Sequence, residues 1–207
     1  MKKIMFNDKY GLTKAVLEGK KTQTRRVISD KILDKIKLFQ DEYFSASLEF
    51  LKGKDLIEAY MVNYPEKLSY NVGEVVAVAQ KYSDCGGVLE NGIPRWKYIS
   101  KIVGNTSGGW TNKMFVKAEL MPHQIRITDI RVERLQDISD KDCLKEGIEF
   151  SCKAQSCYVG YNKYTGYRIY LGNNPREAYA ALIDKVSGKG TWERNPYVFV
   201  YDFELIK

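Results

Sequence analysis

Apolar and polar residues alternate along this chain in short blocks, and the period of each block indicates the element it predicts. Residues 2–6 alternate weakly and read as a first strand. Asn7 or Asp8 then caps a helix running to about Glu18, with Leu12, Ala15 and Val16 on one face and Gly19 as the residue that ends it. Ser29 or Asp30 opens a second helix with Ile32, Ile36 and Phe39 as its apolar stripe. Leu48, Leu51, Leu56, Ile57 and Tyr60 predict further helical pieces. From Val72 the period shortens, and Val75-Val76-Ala77-Val78-Ala79 is a buried strand by composition.

Asn91-Gly92 predicts a hairpin turn between Val88-Leu89 and Trp96-Tyr98-Ile99, and residues 114–120 predict another short strand. Ile125-Arg126-Ile127 and Ile130-Arg131-Val132 alternate in opposite phase, so Thr128-Asp129 predicts a β-bulge. Asp137 or Ser139 caps a short helix, residues 140–146, closed by Gly147. Asn174-Pro175 starts another, with Tyr179, Leu182, Ile183 and Val186 turned inward, and Gly188 and Gly190 stop it. Tyr197, Phe199, Tyr201, Phe203 and Leu205 alternate against Asp202 and Glu204 as a last strand. Short strands with a few helices argue an α+β fold or a small, partly open β-barrel with peripheral helices. Residues 29–70 and 148–172 have a different texture and read as two insertions in one domain spanning 1–207.

The bulk numbers fit that picture. A chain of 207 residues that is 44% hydrophobic and 13% aromatic can bury an ordinary core. Its longest apolar runs, 75–79 and 197–201, are too short to span a bilayer, so no membrane partner is expected. No export signal is visible, which makes the cytoplasm the expected compartment and reduced thiols the expected state of Cys85, Cys143, Cys152 and Cys157. Their spacing, with the single His123, matches no tight zinc knuckle, and no metal or cofactor is implied. The net charge of +7 favours polyanionic partners.

The segment Gly19-Lys20-Lys21-Thr22-Gln23-Thr24-Arg25-Arg26 concentrates cations and hydroxyls after a helix end, without an acid among them. Such a turn suits a phosphate or the carbonyl of a base. A solvated basic loop is the competing reading. Tyr158, Tyr161, Tyr164, Tyr167 and Tyr170 recur every third residue with Lys163 and Arg168 among them, a mixture that single-stranded nucleic acid can stack on. A period of three matches neither helix nor strand, so some of these rings are expected to pack inward. Trp96, Tyr98 and Trp110 are expected to pack in the core.

The 19–26 segment resembles the Gly-x-Lys-x-x-x-x-Arg signature of the ASCH family, a branch of the PUA-like superfamily. The resemblance continues in Val72-Gly73-Glu74-Val75-Val76 and in Met121-Pro122. It extends through Arg126-Ile127, Arg131-Val132-Glu133-Arg134-Leu135-Gln136-Asp137-Ile138, Asp142 and Glu146-Gly147. It ends in Trp192-Glu193 and Asn195-Pro196-Tyr197-Val198, as in the long phage and bacterial form. It implies a PUA-like β-barrel whose cleft receives RNA or a modified nucleobase. Small members hydrolyse the amide of N4-acetylcytidine with a lysine, a threonine and a glutamate. Carried over, these fall on Lys21, Thr24 and, by a looser alignment, Glu146, with Glu149 as the second choice. Lys20, Arg25, Arg26, Arg126, Tyr161 and Tyr164 are the expected nucleic-acid or base contacts.

Other members bind or cleave RNA, so the resemblance leaves three readings open. They are an RNA or nucleobase binder with DNA as a further partner, an N4-acylcytidine amidohydrolase, and an interaction module built on the Tyr-rich insertion. One departure is Val78-Ala79-Gln80, where long members often carry a carboxylate; the identity of the base stays open on that account. A lysine crowded by Lys20, Arg25 and Arg26 and partly desolvated is expected to have a lowered pKa, as a base at that position requires.

Overall fold

The structure, a computed structural model, describes residues 1–42, 51–161 and 167–206. Its frame is a five-stranded mixed sheet in the order β1-β3-β4-β8-β2. These strands are β1 (Lys3–Ile4), β2 (Gln23–Val27), β3 (Val75–Val78), β4 (Gln124–Arg134) and β8 (Tyr197–Leu205). β1 and β3 are parallel and every other pairing is antiparallel. β5 (Glu149–Ser151), β6 (Ser156–Tyr161) and β7 (Arg168–Gly172) form a second sheet out of the Tyr-rich stretch. The fold is therefore α+β. No helix among the described residues is long and apolar enough to cross a membrane.

The expected barrel does not close through backbone pairing among the described strands. β1 is only two residues long, too short to offer β2 a ladder. A side chain spans the seam instead: the Arg26 guanidinium on β2 donates to the carbonyl of Met5, just past β1, at 2.6 Å. The bulge forms where the phase change predicts it, between Ile127 and Asp129 opposite β8. It lets β4 bury Ile125 and Ile127 before the step and Val132 after it.

Three apolar clusters cover both faces of the sheet. The largest gathers Val76, Val78, Ile127, Phe199, Tyr201 and Phe203 with α1 (Leu12–Leu17), α2 (Asp30–Glu42) and α3 (Lys54–Asn63). Ala77, Ala79 and Met121 pack with Tyr82 and with Ile99 of α4 (Arg95–Val103). On the far side Val198 and Val200 meet α5 (Asp140–Lys145) and α6 (Pro175–Ser187), and Trp192 of α7 (Thr191–Arg194) packs there as well. β8 is thus buried on both faces at its centre, where strict alternation predicted one.

Several local expectations are corrected. α1 begins after Gly11 in the left-handed region, not at an Asn7 or Asp8 cap. The Asn91-Gly92 turn forms, but its hairpin is a single bridge, Val88 to Pro94, and Trp96, Tyr98 and Ile99 lie on α4. Trp96 and Tyr98 are exposed rather than core. Residues 114–120 hold 3₁₀ turns at Lys113–Phe115 and Ala118–Leu120 instead of a strand. Val186 is partly exposed, while Tyr179, Leu182 and Ile183 are buried as expected. Leu48 lies outside the described residues.

Candidate active site

The free edge of β2 sets the site. Cross-strand register puts Gln23 opposite Asp202 and Arg25 opposite Val200; on the other side of β8, Asp129 lies opposite Asp202, Arg131 opposite Val200 and Glu133 opposite Val198. Residues directly opposite share a face, so one face of the sheet carries this whole set. α5 lies against it. Ser139 caps α5 by accepting from the Asp142 amide, and Gly147, at φ 99, ends it in a conformation that suits glycine.

The turn before β2 docks on the end of α5: the Thr22 amide donates to the Lys145 carbonyl at 2.9 Å. This carries Lys21 under the helix end, where it is 2% exposed. Its ammonium donates to Glu146 Oε2 at 2.6 Å, to the Glu146 carbonyl at 2.8 Å and to the Gln23 carbonyl at 2.7 Å. All three N–H bonds are used, one of them on a carbonyl that the helix end leaves without an intrahelical donor. The other Glu146 oxygen, Oε1, accepts from Arg25 Nη1 at 3.3 Å.

Behind this pair the charges continue outward. Arg25 Nη2 donates to Glu133 Oε2 at 2.8 Å, and Arg131 Nε donates to Glu133 Oε1 at 2.7 Å. Arg131 also bonds Asp202, whose Oδ1 accepts from Gln23 Nε2 at 2.7 Å. Gln23 Oε1 in turn accepts from Arg25. Burial holds the Lys21 pKa below its ordinary value, against the attraction of Glu146; Arg26 and Arg25 push it further down. Arg25 is also desolvated, but Glu146, Tyr179 and Glu133 outweigh that and raise its pKa.

Lys21, Thr24, Arg25, Arg26 and Glu146 line one cleft. The cleft wraps the β2 edge at the seam with β1, so Met5, Phe6 and Asn7 form one wall. Tyr179, Leu182, Ile183 and Val186 of α6 form another. The Lys21 ammonium sits 5.8 Å from the Phe6 ring centre and Arg26 5.9 Å, one on the buried side and one at the mouth. Thr24 is 5% exposed and lines the same cleft.

The other candidate residues lie elsewhere. Lys20 is exposed and pairs with Glu18 at 2.9 Å and Glu149 at 3.2 Å, so neither it nor Glu149 reaches the cleft. Arg126 is exposed and pairs with Glu204 at 3.2 Å. Tyr164 and the side chain of Tyr161 lie outside the described residues. Of the other tyrosines, Tyr158 and Tyr170 meet edge to face at 6.0 Å, with Arg168 4.5 Å from the Tyr158 ring centre. Gln80 Oε1 accepts from His123 Nδ1 at 2.7 Å, outside the cleft. Cys143 is buried, its pKa pushed up to about 12.

Reading the sequence alone overlooked Phe6, Gln23, Glu133, Arg131, Asp202 and Tyr179. Arg131-Val132-Glu133 did carry a signal, since two charges at i and i+2 on a strand share a face. Asp202 stood out too, the first acid after the five apolar residues that open β8. Compared with protein-family models, with curated proteins and with solved structures, the chain matched none.

Proposed function

We propose that this chain is an ASCH-type, PUA-like domain whose barrel is left open at one seam, and that the seam cleft binds a modified nucleobase and hydrolyses its exocyclic amide. One observation carries the reading. A buried lysine and glutamate 2.6 Å apart meet on the wall of a cleft that Thr24 also lines.

Amide hydrolysis needs a base for the attacking water, a donor for the leaving amine and charge stabilisation at the carbonyl oxygen. Thr24 holds the water. Lys21 gives a proton to Glu146 and, as a neutral amine, takes one from that water as its oxygen bonds the acyl carbon. The C–N bond then breaks, and the proton held on the Lys21–Glu146 pair passes to the departing exocyclic amine, giving the free base and a carboxylate. Arg25 supplies fixed positive charge beside the pair throughout. Desolvation assists, because it disfavours the charged form of Lys21.

N4-acetylcytidine is the substrate the resemblance in residues 19–26 points to. Purified protein is expected to release cytidine from it, measured by chromatography, and Lys21→Ala to stop the release. Absence of turnover with enzyme and substrate at equal concentration removes the hydrolase reading. Non-catalytic RNA binding is the second reading, favoured by the exposed Arg26 at the cleft mouth and the excess of cations.

A further inference from the structure

The hydrogen-bonding groups of the cleft are unequally used. Lys21 has spent all its protons and both Glu146 oxygens accept, as the preceding distances establish. Two buried groups on residues that line the cleft remain without a protein partner among the described residues: the Tyr179 hydroxyl and Arg25 Nε. Arg25 Nε only donates, and a tyrosine donates most readily.

Tyr179 is 2% exposed, and its side chain forms part of the cleft wall. Its ring is held edge-on to Trp192 at 6.2 Å and packs among Leu135, Ile138 and Cys143. A phenol so placed loses its water bonds on folding and gains none in return, which is costly to keep unless a ligand repays it.

We infer that Tyr179 is a ligand contact of this cleft, its hydroxyl donating to an oxygen of the bound molecule, so that the site selects a head group rich in hydrogen-bond acceptors, such as an amide or pyrimidine carbonyl. The inference deepens the nucleobase reading and takes its first probe from it. Burial, and the nearby Glu146 carboxylate, hold the Tyr179 pKa well above 10, so the phenol keeps its proton throughout the working range. The apolar stretch of α6 beyond it, Leu182, Ile183 and Val186, faces the rest of the ligand with carbon.

Tyr179→Phe keeps the ring and deletes only the oxygen. It is expected to melt at the same temperature as the parent or higher, while kcat/KM for N4-acetylcytidine falls roughly ten-fold or more, mainly through KM. Unchanged kinetics overturn the contact. Tyrosine labelled with ¹³C at Cζ gives a readout free of turnover, with the Tyr179 resonance assigned by its loss in Tyr179→Phe. Both N4-acetylcytidine and acetamide, which carries only the amide head, are titrated. A shift of that resonance without turnover sinks the reaction and keeps the contact; no shift with either molecule sinks the contact itself.

Discussion

Burying an ammonium and a carboxylate together removes more solvation than their attraction returns unless every remaining donor and lone pair is filled. Around Lys21 and Glu146 that condition is met by two carbonyls and by Arg25. Breaking the pair from one side is therefore worse than removing both charges. Lys21→Met is expected to lower stability by about 3 kcal/mol or more in a denaturant titration, and Lys21→Met with Glu146→Gln to recover part of the loss. A double variant less stable than Lys21→Met contradicts the ion pair. The pH dependence has a definite sign. The folded pKa of Lys21 is below 10.5, chiefly through burial, so between the two values the unfolded chain binds more protons. The Lys21 contribution therefore makes stability rise with pH across that window. The hydrolytic rate should also rise as the buried amine loses its proton, at a pH below 10.5, and a flat profile there removes Lys21 as the base. Lys21, Thr24 and Glu146 were readable because a short motif and a helix end carry them. Tyr179 was not: its periodicity marked it as inward, and only the folded chain reveals that its oxygen has no partner among the described residues. Lys20 and Arg126 looked equivalent to Arg25 in the sequence, yet strand phase and nearby acids turned them to solvent.

The elements owe their form to where their apolar faces land. Trp96-Lys97-Tyr98-Ile99 has a strand-like composition, but Ile99 and Val103, four apart, dock into the second cluster and make a helix. Propensity lost to packing there, whereas at the bulge in β4 and the Asn174 cap of α6 it agreed with packing and was legible. The second sheet was invisible because its strands are short and its tyrosines follow neither period. Its backbone approaches that of the frame closely at Gly160: a Cβ there would lie 2.5 Å from the Tyr10 carbonyl oxygen, at φ 43. Gly19, at φ 69, has open space around it. Both Gly→Ala changes incur the left-handed strain, about 1–2 kcal/mol, but only Gly160→Ala also drives backbone into backbone. Gly160→Ala is expected to be the more destabilising by a clear margin in thermal or denaturant melts; equal losses contradict the close approach. Asn174→Ala, which removes the acceptor for the Glu177 amide, should cost about 1 kcal/mol and loosen the α6 wall of the cleft.

At the scale of the molecule the charge is unevenly spread. Between Glu90 and Glu119 there is no acid, while Arg95, Lys97, Lys101, Lys113 and Lys117 supply five cations. Lys113 is turned to Asp8 at 2.7 Å, but Lys97, Lys101 and Lys117 are exposed, as are Trp96, Tyr98 and Phe115. Cations and rings on one solvent-facing stretch are what a single strand of RNA binds through backbone charge and stacking. The Tyr-rich insertion suggested this role in the sequence; in the fold, Tyr158 and Tyr170 meet edge to face and Arg168 covers one of them. No local pattern could have shown that the aromatic exposure would fall on α4, because that depends on which side of the helix the second cluster takes. If RNA engages the chain here, its affinity for a short single strand falls with salt on a log–log line, and each lysine in contact contributes about 0.7 to the slope. Lys97→Gln with Lys101→Gln is then expected to flatten the slope by more than one contact's worth. Release of cytidine from N4-acetylcytidine should be unaffected, since neither lysine lines the cleft. Trp96→Ala should weaken binding at every salt concentration without altering the slope. A slope that the lysine changes leave intact, and that Arg26→Ala reduces, would instead put the strand across the cleft mouth and make the seam the route by which a base within RNA reaches Lys21.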